Sequence, residues 1–416
     1  MDESNGPLTN RNLDPGQRES PPSFSGRVRS DPYDVVVAGV GGMGSAACFH
    51  LARRGARVLG LERFDVPNTM GSSHGVTRII RLAYAEGSAY VPLLRRAYEL
   101  WRELEATADE RLLMTTGYVD VGAALAEPAL ASCRDHDIPH EIMDGRELST
   151  RHPGFDLPPD APALLQADGG ILLPERCIVA HVAAAQAAGA EIHARERVLE
   201  WEESSAGVRI RTDRGVYEAG RLVVTAGAWA AEVGRLRSDL VLAERQVLAW
   251  FQPRDPALYR PERFPCFGIV DPDGMHYGFP VYGIPGVKVG RYHHRSEVVD
   301  PDAFEREPGA EDEALLRRFV ARALPEAAGP TMALATCLFE LSPDEHFFLD
   351  RHPEHPSVIL AAGFSGHGFK FASVVGEVVA DLVLDDATRH EIGFLGFGRL
   401  AGRLPGHSTR LAAHGA

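Results

Sequence analysis

Cysteine is scarce in this chain and shows no paired spacing. The five residues Cys48, Cys133, Cys177, Cys266 and Cys337 are scattered through 416 positions with no C-x-x-C spacing. That excludes a disulfide framework and a cysteine-built zinc site; no metal is expected, and a reducing, cytoplasmic setting fits. Long apolar runs are absent too, so no segment reads as a membrane span. Residues 1–32 lack the apolar stretch of a signal peptide and, rich in Pro, Ser, Asn, Asp and Arg, read as a disordered N-terminal tail. Residues 398–416 read as a flexible C-terminal tail that ends in His-Gly-Ala, not in a peroxisomal address. Positive charge is in deficit: 43 basic against 58 acidic residues leave a net charge of −15. Nucleic acid and anionic membrane are therefore excluded as expected partners. A small anionic substrate stays open, because a few local arginines can dominate one site. No repeat period appears.

What is present is an ordinary globular composition, 44% hydrophobic and 24% charged, at a length that favours two closely packed domains over one core. Tyr33-Asp-Val-Val-Val-Ala38 reads as a buried strand, Ser45–Arg54 as a small-residue helix ending at Gly55, and Arg57–Glu62 as a second strand. Between the first strand and the helix lies Gly39-Val-Gly41-Gly42-Met43-Gly44. In this β-α-β context the glycines leave bare backbone for a pyrophosphate at a helix N-terminus, and Glu62 supplies a carboxylate for ribose hydroxyls. The acid disfavours a 2′-phosphate and hence NADP; the motif fits FAD and NAD alike.

Further along, Tyr90 to Leu104 carries apolar residues at helical spacing, and Pro174 opens a helix running to Gly189. Val208–Thr212 alternates, turns at Asp213–Gly215 and returns toward Leu222–Gly227, a hairpin leading back to the nucleotide-binding region. Between 241 and 300 the pieces Gln246–Phe251, Met275–Phe279 and Gly286–Gly290 predict an antiparallel sheet beneath a substrate. Val358–Ala362 is another buried strand. It leads through the loop Gly363–Gly368 into an apolar helix, whose N-terminal end would favour a developing negative charge. On pattern alone, Arg78 and Arg81 are a solvated or ion-paired face, Lys288 is the wet side of a strand, and Cys337 is a buried thiol.

The stretch Gly71-Ser-Ser-His-Gly-Val-Thr-Arg-Ile-Ile-Arg81-Leu-Ala-Tyr84 is more specific. With Arg245–Trp250, Tyr277–Pro280, Lys288, Ser342–His346 and Ser365–Phe371 in the same order, the chain resembles the monomeric sarcosine oxidase and N-methyl-L-tryptophan oxidase family of D-amino-acid-oxidase-like flavoproteins. The likeness runs from Tyr33 to about Phe397. It implies an α/β, two-domain flavoprotein whose domains are both discontinuous. A Rossmann-like FAD-binding domain would comprise 33–107, 178–240 and 344–397. An antiparallel-sheet substrate domain would comprise 108–177 and 241–343.

Carried over by residue, the likeness implies that Arg81 and Lys370 bind an amino-acid carboxylate, with Tyr277 lining the pocket and Tyr84 nearby. Ser73, His74, Thr77 and Arg78 would sit against the flavin, with Arg63 beside Glu62 and with Gly363, Gly366, His367, Gly368 and Phe369 along the loop. Cys337 would tether the flavin as an 8α-thioether. Lys288 would activate O2. A unit charge about 4 Å from forming superoxide is worth roughly 4 kcal/mol at an effective dielectric of about 20, on the order of a thousandfold in rate.

One departure stands out. Relatives commonly place a histidine four residues after the lysine, where this chain has Tyr292 followed by His293 and His294; either Tyr292 or His293 takes the pocket position. The implied activity is oxidation of an N-methyl or cyclic secondary amino acid (sarcosine, N-methyl-L-tryptophan or pipecolate type) to an imine, with O2 reduced to H2O2 by a monomer. The alternatives are a flavin dehydrogenase with another electron acceptor, or a NAD-binding, catalytically silent protein.

Overall fold

The computed structural model describes residues 32–401; most of both expected tails lies outside them. The β-branched run at Tyr33–Ala38 forms the middle of an eight-stranded sheet, pairing in parallel with Val58–Leu61 on one side and Val216–Val224 on the other. The expected hairpin is there: Gly207–Thr212 runs antiparallel to the first half of Val216–Val224. The second half of that long strand leaves the hairpin and pairs in parallel with Val358–Ala362. Helices Gly42–Ala52, Val91–Ala108, Pro174–Ala187 and Ala372–Leu384 supply an apolar layer that shares one core with this sheet. On Val91–Ala108 the buried stripe is Leu93, Leu94, Ala97, Leu100, Trp101 and Leu104, as the spacing predicts.

A second eight-stranded sheet runs in the order Thr331–Leu341, Leu242–Phe251, Val287–Arg291, Gly274–Phe279, Cys266–Asp271, Tyr118–Val121, Pro162–Gln166, Glu141–Asp144. It departs from the expected antiparallel pattern at one seam, where Cys266–Asp271 and Tyr118–Val121 are parallel. These two strands come from distant parts of the chain, so no hairpin dictates their direction. A small third sheet joins Arg78–Ile80 to Gly170–Leu172 and Leu113–Thr115. It carries Arg78 to the boundary between the two large sheets. The helix Pro174–Ala187 spans position 177, where the sequence suggested a boundary, and packs with the nucleotide-side helices.

The C-terminal expectation needs correction as far as the structure reaches. Phe397–Leu400 forms a 3-10 turn, Leu400 is buried, and Arg399 pairs with Asp344 at 3.0 Å and donates to the His346 carbonyl. Ordering there comes from the Arg399–Asp344 ion pair, the burial of Leu400, the stacking of Phe397 on Phe348 and the bond from the Phe397 N–H to Asp350, all but one of them contacts with distant residues and none visible as a local pattern. No helix among the described residues is long and apolar enough to cross a membrane.

The glycines of the first turn divide the work. A methyl group on Gly44 would collide with the Gly39 carbonyl oxygen, whereas nothing lies within 4 Å of the corresponding point on Gly41, which borders the main cavity. Gly44→Ala should destabilise the apoprotein by about 3 kcal/mol in urea unfolding. Gly41→Ala, at an ordinary φ of −81°, should change stability by less than about 1 kcal/mol while weakening dinucleotide retention. Equal destabilisation by both would contradict this division.

Candidate active site

One cavity begins at the glycine turn and ends between the sheets. At its first end Gly39, Gly41, Gly42 and Met43 line the wall, while Gly44 lies behind them in the turn. Glu62 borders the same end, buried, its two oxygens accepting from the Val40 and Phe64 N–H groups at 2.8 and 2.9 Å. Burial pushes its carboxyl upward in pKa, opposed by those bonds. Carboxylate lone pairs remain for a hydroxyl pair. Arg63 lines the wall, paired with Asp302 at 2.7 Å and lying over Phe64 and Trp229. Arg197, Val198 and Gly227 close that end.

Midway, Ser73, Arg78 and Cys337 face the cavity. Arg78 donates to the Ser72 and Thr77 carbonyls at 2.6 and 2.8 Å, and its guanidinium lies 3.7 Å from the Cys337 sulfur. His74 is buried, with Nε2 unpartnered; burial and the Arg78 charge pull its pKa down to about 4, so the ring is neutral. Thr77 and Lys288 lie one layer behind. The Lys288 amine donates to the Gly75 and Thr77 carbonyls at 2.8 Å each and meets Thr77 Oγ1 at 3.1 Å. Burial and the Arg78 charge hold its pKa well below the ordinary lysine value.

The far end is a carboxylate-sized cluster of charges. The Arg81 guanidinium lies over the rings of Tyr84 (4.7 Å) and Tyr118 (5.0 Å). It donates to the Ala83 carbonyl at 2.6 Å and, through one nitrogen, to both oxygens of Glu86 at 2.8 Å. Lys370 donates to the His367 carbonyl at 2.7 Å, and its ammonium is 5.3 Å from the Tyr84 ring that also carries Arg81. Burial and the Arg81 charge bring Lys370 down to about 7, with Glu86 opposing. Tyr84 itself is fully buried beneath the cavity, not in its wall. His367 lines the cavity with both nitrogens committed. Nε2 reaches the Glu345 carbonyl at 2.9 Å, so that nitrogen carries the hydrogen and Nδ1 accepts from Tyr84 at 2.6 Å.

Gly366, Gly368, Phe369 and Tyr277 are also in the wall, whereas Gly363 is set back at the strand end. Tyr292 takes the cavity position, its hydroxyl donating to the Ser365 carbonyl at 2.7 Å. His293 is corrected as a pocket residue: it turns away and is bound by Glu244 at 2.8 Å and Glu345 at 3.3 Å, which together raise it to about 9 against the effect of burial. It lies in the turn after the strand Val287–Arg291, with a positive φ of 55°. Glu86, Tyr118 and Glu340 line the cavity without having been singled out in the sequence. Glu340 stands in the apolar run Leu338–Leu341, which is the signal that could have marked it as buried, whereas Glu86 and Tyr118 lie in no motif.

The residues present fit FAD. A groove open at Gly41, a buried carboxylate at the turn, and the buried unpartnered Ser72 Oγ and His74 Nε2 beside the wall are what an extended polar ligand would engage. Strand, glycine turn, helix and acid on one side, with a cation-rich chamber on the other, define a dinucleotide-dependent oxidoreductase. The chain belongs to the FAD dependent oxidoreductase (DAO) family, whose sequence profile matches residues 34–382, and its cofactor is FAD. It is 43% identical over 383 residues to the monomeric sarcosine oxidase of Streptomyces avermitilis, covering 89% of this chain and 99% of that one. It is 34% identical over 373 residues to the N-methyl-L-tryptophan oxidase of Yersinia pestis, covering 88% and 99%. Among solved structures it resembles NikD, an amino acid oxidase essential for nikkomycin biosynthesis, at 27% identity and a TM-score of 0.77, covering 88% of this chain and 98% of that one. Membership of an FAD family sets aside the NAD-binding alternative.

Both Glu86 oxygens occupy one nitrogen of Arg81, a donor for which an added carboxylate would compete. Glu86→Gln should therefore tighten binding of acetate to the holoenzyme by about tenfold, the equivalent of 1.4 kcal/mol, read from perturbation of the flavin absorbance. Weaker acetate binding in the variant would show that Glu86 supports Arg81 and does not compete for it.

Proposed function

We propose that this chain is an oxidase of N-methyl or cyclic secondary amino acids with O2 as electron acceptor. The observation that carries the reading is the pair Arg81 and Lys370, both buried over the face of Tyr84 at the closed end of the cavity. A planar fork and a point cation together suit one carboxylate. FAD held there would supply two-electron chemistry: the substrate CH–NH unit loses two electrons and two protons to become an imine that water hydrolyses, and O2 gains the same two electrons and two protons to leave as H2O2.

The chain's own part is placement. Arg81 exchanges Glu86 for the incoming carboxylate while Lys370, turning from the His367 carbonyl, takes the second oxygen. Tyr277, Phe279, Leu248 and Tyr292 form the apolar wall that keeps water from the reacting carbon. His367 accepts no proton, since both ring nitrogens are bonded within the protein. Cys337 Sγ, in the wall beside Arg78, is the tether for a covalent flavin, and Lys288, behind Thr77, is the group that favours electron transfer to O2. The protein acts as a monomer. The names of its relatives as oxidases support O2 as acceptor over a dehydrogenase partner.

Sarcosine, N-methyl-L-tryptophan and L-pipecolate, supplied under air, should yield stoichiometric peroxide with at least one of the three; flavin reduction without peroxide would point to a dehydrogenase. Acid precipitation of wild type should leave the yellow colour in the pellet, and Cys337→Ala should move it to the supernatant. Wild-type colour in the supernatant would remove the tether. Lys288→Met should slow reoxidation by about two to three orders of magnitude with near-normal anaerobic reduction. Equal slowing of both half-reactions in stopped-flow would contradict its role.

A further inference from the structure

Asp120 lies beside the carboxylate clamp, and the proposed chemistry makes no use of it. It sits on the strand Tyr118–Val121, 0% exposed. Its Oδ1 accepts the Tyr118 hydroxyl at 2.8 Å, while Oδ2 has no hydrogen-bond partner. Tyr118 lines the cavity and lays its ring against the Arg81 guanidinium. On the neighbouring strand, a Cβ at Gly268 would stand 2.5 Å from the Tyr118 hydroxyl and 3.3 Å from Asp120 Oδ1, so the pair fits because that residue is glycine.

The groups that face Asp120 can be named element by element. Tyr118 shares its strand, Arg81 and Glu86 come from the segment after Arg78–Ile80, and Cys133 comes from the helix Ala123–Asp135. The adjoining strands place Gly268 and Leu164 opposite it, neither of them titratable. Among the described residues Arg81 is thus the cation acting on this carboxyl, and the coupling is mutual.

We propose that Asp120 is a positioning residue that sets the grip of Arg81 on the substrate carboxylate. As the neutral acid it anchors Tyr118 under the guanidinium; as the anion it takes up part of that cation's field. This rests on the assignment of Arg81 as carboxylate ligand. A buried carboxyl with an unpartnered oxygen resists ionisation; burial raises Asp120 to about 7, with Arg81 and Tyr118 opposing. It is therefore neutral below that pH and charged above it, and carboxylate affinity falls as pH rises through the neutral range. Lys370, brought to about 7, loses its charge over the same range and contributes a fall of its own.

Acetate binding to the holoenzyme, followed by flavin absorbance from pH 6 to 9, separates the two. Asp120→Asn keeps an acceptor for Tyr118 but cannot ionise. It should bind acetate roughly tenfold more tightly than wild type at pH 8.5 and nearly equally at pH 6, leaving only the Lys370 decline. Tyr118→Phe removes a donor to the anion and should move the wild-type break to higher pH. Wild-type pH dependence in Asp120→Asn, or an unmoved break in Tyr118→Phe, would overturn the role of Asp120 alone. Acetate affinity indifferent to Arg81→Met at every pH would overturn the carboxylate assignment and this proposal with it.

Discussion

Four basic side chains at the boundary of two sheets, and the main-chain carbonyls turned inward to receive them, set the shape of this site. Removing a charge from water is costly unless it is fully hydrogen-bonded. Arg78, Arg81, Lys288 and Lys370 meet that demand largely with backbone oxygens, those of Ser72, Gly75, Thr77, Ala83 and His367. Four of the five carbonyls come from the segment 72–83, which cannot then be a regular strand until Arg78. Its turn is held in an unfavourable conformation, with φ of 72° at the β-branched Val76. The Glu175 carboxylate, in the first turn of a helix far along the chain, accepts the Gly75 and Val76 N–H groups at 2.6 and 3.1 Å and fixes that turn. Cation placement therefore depends on an acid that touches none of the cations.

Lys288 shows what such a cradle permits. Burial and the Arg78 charge favour its neutral amine, whereas its expected role uses an ammonium. Thr77 Oγ1 can accept from the ammonium or donate to the amine, while the two carbonyls take N–H groups in either state. Both charge states are thus satisfied without rearrangement. A negative charge forming nearby would draw the proton onto Lys288, so the residue answers that charge without bearing the cost of a permanent buried cation.

Local chemistry was legible in the sequence. Alternation and β-branching marked Tyr33–Ala38 and Val358–Ala362, glycine spacing marked the first turn, and the residues shared with known flavoproteins pointed to Arg78, Arg81, Cys337 and Lys370, which the fold brings to one cavity. Long-range pairing was not legible. The parallel seam between Cys266–Asp271 and Tyr118–Val121 brings Gly268, Tyr118 and Asp120 together, and no periodicity in either strand announces a partner about 150 positions away. Glu86 and Glu175 were illegible for a related reason: each is an ordinary acid with no local signal until the fold sets it against a guanidinium or a bare N–H pair. Between Tyr292 and His293 the sequence left the pocket position open, because both lie in the turn after the strand Val287–Arg291, where no alternation sets a side chain's direction.

The same burial that draws Lys288 toward neutrality decides which groups in the cavity can handle protons. His367 is locked by two hydrogen bonds and lowered to about 4, and Tyr292 is tied to a carbonyl. Tyr277 is pushed far above neutrality by desolvation. Two wall residues are instead brought near neutrality: Lys370, lowered to about 7, and Glu340, raised to about 8 by burial with a 3.3 Å bond from the Gly363 N–H. One is a base and the other an acid by nature, and desolvation moves them toward each other because it penalises the charged form of both. The same burial under an aromatic wall thus sets two groups of opposite type to titrate near neutral pH.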